Sequence, residues 1–209
     1  MSAEPLDVAQ PAGRFLRSLF AISAAALAVG LMLYVALRPG AGAMLAQGGW
    51  PAARLLLRQV LVNGLPVVMA TTWIGAVMHS AWRSGGAARG PGLILFLADP
   101  VIRLAVFAAL HAAIFVLAAD WFGSFGGQKA TALRVVAPTL ARAAVMENLS
   151  GVYLYAALAV ALPAQAEAAR RIAPRVFGAG RVAAFLLAMM WTAAAVTVFT
   201  WLAAAVAAS

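Results

Sequence analysis

The sequence predicts an all-α fold, a polytopic helical integral membrane protein of about five transmembrane helices with short interfacial helices in the loops. Three observations carry this. Hydrophobic residues make up 65% of the 209 residues and charged residues only 10%, against roughly 45–50% and about 25% in a soluble domain. The apolar residues fall in runs of about 20, the length that crosses a hydrocarbon core at 1.5 Å per residue. The cations fall almost entirely between these runs, where they set orientation and meet lipid headgroups. A soluble globular domain, a disordered chain and a nucleic-acid-binding module are excluded. The net charge of +9, from 15 Lys and Arg against 6 Asp and Glu, is therefore assigned to the lipid bilayer as partner, with no nucleic acid.

A short polar tail, residues 1–13, precedes a single helical domain, residues 14–209. Glu4 and Asp7 stand ahead of the first cation. A cleavable signal peptide opens instead on a cationic region, so the first apolar run reads as a retained span. That span is Leu16–Leu37, bounded by Arg17 and Arg38. Residues Pro39–Trp50 are rich in Gly and Ala and read as a flexible turn. Pro51 suits the first position of a helix, which runs through Arg54 and Arg58 into the second span, Val60–Trp82. Gly64 and Pro66 predict a kink there. Asn63 beside them is placed to satisfy backbone groups that the proline frees.

A Gly-rich loop, Ser84–Gly92, leads to the third span, Pro100–Phe122. A second loop, Gly123–Gln128, follows. Residues Ala130–Arg142 read as a short interfacial helix broken near Pro138. The fourth span is Ala143–Leu162, ended by Pro163. Ala164–Gly180, with Arg170, Arg171 and Arg175, is the most basic connection. The fifth span is Val182–Ala207. With the N-terminus in the cytoplasm, the inner loops hold more cations than the outer ones, which predicts a cytoplasmic N-terminus and an external C-terminus. Fourteen of the 15 cations are Arg, and alanine is abundant. This composition points to a bacterial source, and so to the bacterial inner membrane.

Ionisable groups inside spans are costly, so each is a candidate site. Asp99, Arg103, Phe107 and His111 recur every four residues and share one helix face. Asp99 precedes Pro100, where an N-cap belongs, and stands in the favourable order for an ion pair with Arg103. The face reads as a capped and self-neutralised helix start, or as a ligand or proton path leading to His111. Arg142, Glu147 and Asn148 form an outer polar patch, either paired locally or open to a vestibule or partner. Ala26-x-x-x-Gly30 and Thr71-x-x-x-Gly75 permit close helix contact.

No cofactor is predicted. There is no cysteine, no cluster at metal-ligand spacing and no H-E-x-x-H pattern. His79 and His111 are the candidate haem or chlorin ligands. Their depths differ by roughly 10 Å at the helical rise, which disfavours one haem held between them. A phosphate-binding loop and a nucleophile elbow are absent too, so no catalytic residue is assigned. Three functions remain. The leading one is a non-catalytic subunit, accessory or assembly factor of a larger membrane complex, partnered by other membrane proteins. The second is a small solute or ion transporter or channel, assembled from copies of itself and using Asp99, Arg103 and His111. The third is a membrane redox or enzyme component.

Overall fold

A computed structural model describes residues 6, 8–84, 92–124, 149–172 and 180–208. The outer patch of Arg142, Glu147 and Asn148, and the expected interfacial helix 130–142, lie outside the described residues. Those described are folded into α-helices: α1 (Ala12–Leu37), α2 (Ala41–Gln59), α3 (Leu65–Ser84), α4 (Leu93–Ser124), α5 (Leu149–Ala159), α6 (Leu162–Ile172) and α7 (Arg181–Ala208). A π-helical turn, Val60–Gly64, joins α2 to α3. Among the described residues, four runs are long and apolar enough to cross a membrane: Ala12–Leu37, Ala41–Trp82, Leu93–Ala113 and Val182–Ala205. The pair α5 and α6, bent by 44°, makes a fifth if it counts as one span.

α1 buries Phe15, Leu19, Ser23, Leu27, Gly30 and Tyr34, a three- and four-residue spacing that lines one face. Its other faces expose Leu16, Phe20, Val29, Met32 and Leu37. A helix apolar all round is one surrounded by apolar material on every side. The stretch expected as a turn, Pro39–Trp50, is mostly helical. Between Gly40 (φ 80°) and Gly49 (φ 56°) the residues are chiefly Ala, Met, Leu and Gln, which favour helix. The two glycines do the turning, because positive φ costs them little. Pro51 then opens the second leg of α2, where its missing N–H is harmless. Only Ala41 of α2 is buried, so this helix stands at the edge of the bundle.

The irregularity expected at Asn63, Gly64 and Pro66 takes the form of the π-turn. Pro66 has no N–H to offer the carbonyl four residues back. The Leu65 N–H reaches instead to the carbonyl of Val60, and the helix widens locally. Asn63 is exposed and is not the residue that repairs the backbone. Tyr153 of α5 donates its hydroxyl to the Gln59 carbonyl at 3.2 Å. The Tyr153 ring packs against Gly64, where a Cβ would stand 2.5 Å from it. Tyr153→Phe keeps the ring and removes the bond. The expected loss is about 1 kcal/mol of unfolding free energy in mild detergent; an unchanged midpoint contradicts this role.

The helices alternate in direction. Phe15 and Leu19 near the start of α1 cluster with Ala76 of α3, whereas Tyr34 near the end of α1 shares a core with Val67 near the start of α3, so the two are antiparallel. His79 of α3 meets Asp99 of α4, and Thr71 meets Arg103, so these two are antiparallel as well. The path of α5–α6 follows from its contacts. Tyr153 sits beside Gly64, whereas Gln165 sits beside Asp99, itself bonded to His79. Gly64 and His79 are 15 residues apart on α3, about 22 Å at the helical rise. The bent pair therefore runs the length of the bundle rather than folding back. α7 returns in the opposite direction, with Ala184 and Ala188 packed on Phe96 and Ala169 and Val196 in the central core. That core joins Leu27, Val68, Phe107, Val152 and Leu154 from four helices.

Candidate functional site

The site grows from α4. The third apolar run was expected to start at Pro100 with Asp99 as its cap. Instead α4 begins at Leu93, after Gly92 at φ 79°. Asp99 and Pro100 lie inside the helix. The residues before them, Leu93-Ile-Leu-Phe-Leu, are apolar enough to extend the helix, and the Asp99 carboxylate is engaged elsewhere.

Asp99 is wholly buried, and Arg103 is 4% exposed. The Arg103 Nε donates to both carboxylate oxygens of Asp99 at 3.1 Å. Its Nη1 donates to the backbone carbonyl of Thr71 at 3.2 Å. The Nε2 of His79 lies 3.2 Å from Asp99 Oδ1. From α6, the Gln165 amide donates to Asp99 Oδ2 at 2.7 Å, and its oxygen accepts the Thr192 hydroxyl of α7 at 3.1 Å. One carboxylate thus ties α3, α4, α6 and α7 together. The spacing of Asp99 and Arg103 sets their contact, since side chains four apart share a helix face. Gly75 makes room for it: a Cβ there would overlap the Arg103 guanidinium. The Thr71-x-x-x-Gly75 pair therefore admits an arginine head rather than a second backbone.

The electrostatics follow from burial. Removing both charges from water is expensive, and the pair persists only if nearly every lone pair and N–H finds a partner. Asp99 has four such contacts, close to the capacity of an ionised carboxylate. The arrangement neutralises and pins; it leaves little of either charge for a passing ion.

His111 stands apart. It lies 12 residues beyond Asp99, about 18 Å along the helix. Its Nδ1 is 3.1 Å from the Phe107 carbonyl, and its ring lies 4.0 Å from the Phe107 ring. The structure thus brings Asp99 and Arg103 together and leaves His111 out of their network. His79 is at the Asp99 level, three turns from His111, so the two histidines do not face one another across a shared haem. Among the described residues no group of three His, Cys, Asp or Glu is arranged to hold a metal ion.

Gln165 and Thr192 are the participants that sequence reasoning missed. Gln165 belongs to the segment that its arginines mark, in the sequence, as a basic connection after Pro163. A signal was present: Gln165, Ala166, Ala168 and Ala169 form one buried face of α6, while Glu167, Arg170 and Arg171 lie opposite. Glu167 pairs with Arg170 at 3.1 Å and with Arg171 at 3.4 Å, the i,i+3 and i,i+4 pattern of a helix.

Thr192 also lines a groove of about 1210 Å³ between α1, the α5–α6 bend and α7. Its walls are apolar, with Ile22, Val29, Leu158, Met189 and Val196 among them. Comparison of the chain with known protein families, curated proteins and solved structures finds no match.

Proposed function

We propose that the protein is a non-catalytic integral-membrane subunit, accessory or assembly factor of a larger membrane complex. The observation that carries this reading is the closed Asp99 network. The most costly buried charges bind each other and neighbouring helices, so their role is to fix the bundle. Function then belongs to outer surfaces. The foremost is α2, where Trp50, Leu55 and Leu57 are exposed beside Arg54 and Arg58 on a helix with one buried residue. The partners on this reading are other membrane proteins, in the inner membrane of a bacterium.

The N-terminus is assigned to the cytoplasm and the C-terminus to the outside. The alternating helix directions support this, since they carry Arg14, Arg17, Arg170 and Arg171 to one end and Arg38, Arg54 and Arg58 to the other. The test is site-specific photo-crosslinking from Trp50 and Leu55 in native membranes. The expected result is one discrete adduct with a different membrane protein. Adducts with lipid alone, or with a second copy, go against the reading.

A small solute or ion transporter is the second reading. The 44° bend between α5 and α6 and the π-turn in the preceding long helix favour it, because helix irregularities are where packed bundles hinge. On that reading Asp99→Asn abolishes flux in reconstituted vesicles while the fold persists.

A further inference from the structure

We propose that the groove between α1, α5–α6 and α7 holds one anionic phospholipid, with its acyl chains in the groove and its phosphate against Arg170 and Arg171. Three features of the groove define the tails. Its lining is chiefly aliphatic and alanine, with Tyr155 and Trp201 among it, and the hydroxyls of Thr192, Thr197 and Thr200 are taken by Gln165 and by backbone carbonyls, so it offers mainly dispersion contact. On α1 it runs from Ile22 to Leu33 and on α7 from Met189 to Ala204, about 16 Å and about 22 Å at the helical rise, the reach of an extended acyl chain. Its volume of about 1210 Å³ exceeds the roughly 300–1,000 Å³ of an ordinary small-molecule pocket, as a two-chain lipid requires.

The headgroup is assigned from charge. Pro163 and Ala164 of α6 line the groove. Glu167 and Arg170 follow Pro163 at four- and three-residue steps, and Arg171 follows Ala164 by seven, so all lie on that same face. The opposite face is the buried one. Arg170 comes five residues after Gln165, about 7 Å further along the axis, and Gln165 bonds Thr192 at the groove wall. That interval suits the glycerol between acyl chains and phosphate. The face carries two arginines against one glutamate, with Arg171 61% and Glu167 50% exposed. Arg171, the more exposed of the two arginines, offers its charge to a phosphodiester whose headgroup adds no cation. Basic side chains near a bilayer surface draw anionic lipid in this way. A zwitterionic lipid fills the groove equally well but gains nothing at the arginines.

The test is native mass spectrometry of the full chain, delipidated in mild detergent and given equal amounts of phosphatidylglycerol and phosphatidylcholine. The expected result is one bound lipid, with phosphatidylglycerol preferred by about ten-fold. Arg170→Gln with Arg171→Gln brings the preference near parity while tails still bind. Glu167→Gln raises it. Ala25→Phe with Ala193→Phe, two exposed positions on opposite walls, fills the groove and removes retention of both lipids. Equal retention of the two lipids by the wild-type chain overturns the proposal, as does a preference that survives loss of both arginines. Disulfide joining of two Ala193→Cys chains with no lipid retained also overturns it, because the groove then belongs to a second copy.

Discussion

Asp99→Ala is expected to lower the unfolding free energy by about 3–5 kcal/mol, the cost of leaving one member of a buried ion pair without its partner. The loss has several parts. The Arg103 guanidinium, 4% exposed, keeps its bond to the Thr71 carbonyl but has no counter-charge. Gln165 loses its 2.7 Å acceptor, and His79 loses its own. Rearrangement offers little relief, because these groups come from three helices that would have to move together. The contrast is Asp99→Leu combined with Arg103→Met. Replacing both charges with apolar groups of similar size removes the desolvation cost along with the attraction, and such exchanges are often neutral or stabilising. Titration with a denaturing detergent in micelles separates the cases. The single variant is expected to unfold far earlier than the double. Equal losses in both contradict the clamp.

Gly75→Ala is expected to be the most damaging single methyl addition in the bundle, at about 1–3 kcal/mol. A Cβ at position 75 would occupy the place of the Arg103 guanidinium. Arginine is ordinarily a flexible neighbour that gives way. Here its head is held by both carboxylate oxygens and by the Thr71 carbonyl, so moving aside breaks the bonds that justify its burial. The effect should therefore depend on the arginine. In an Arg103→Met background the same Gly75→Ala change is expected to cost much less, since neighbouring substitutions that share one contact are not additive. The same cost in both backgrounds contradicts the assigned role of Gly75.

The helical class and the apolar runs were legible because both rest on composition and length, which act locally. The contact of Asp99 with Arg103 was legible for the same reason, since four residues on a helix fix it. The helix boundaries were less so. Asp99-Pro100 looked like a helix start, but the apolar residues before it extend α4 and a tertiary network engages the carboxylate. Gly and Ala in 39–50 looked like a turn, yet positive φ is confined to Gly40 and Gly49. Pro163 looked like the end of a span, but the break falls at Val160–Ala161, and the helix resumes at Leu162 with Pro163 in its first turn, where proline is tolerated.

Gln165 and Thr192 were not legible as partners of Asp99. They lie 66 and 93 residues from it, and nothing local marks a glutamine that meets a distant carboxylate. His111 was the opposite case. Periodicity put it on the face of Asp99 and Arg103, but the distance along α4 exceeds any hydrogen bond, and Phe107 takes up its Nδ1.

On the proposed function, the chain works as one subunit among others, its buried charges holding it together rather than carrying a solute. The most direct test is the native mass of the protein drawn from its own membranes in mild detergent, with an absorbance scan of the same fraction. The expected result is a particle far heavier than one chain, containing other membrane proteins in fixed ratio. A colourless monomer or an assembly of identical chains would contradict it and favour transport.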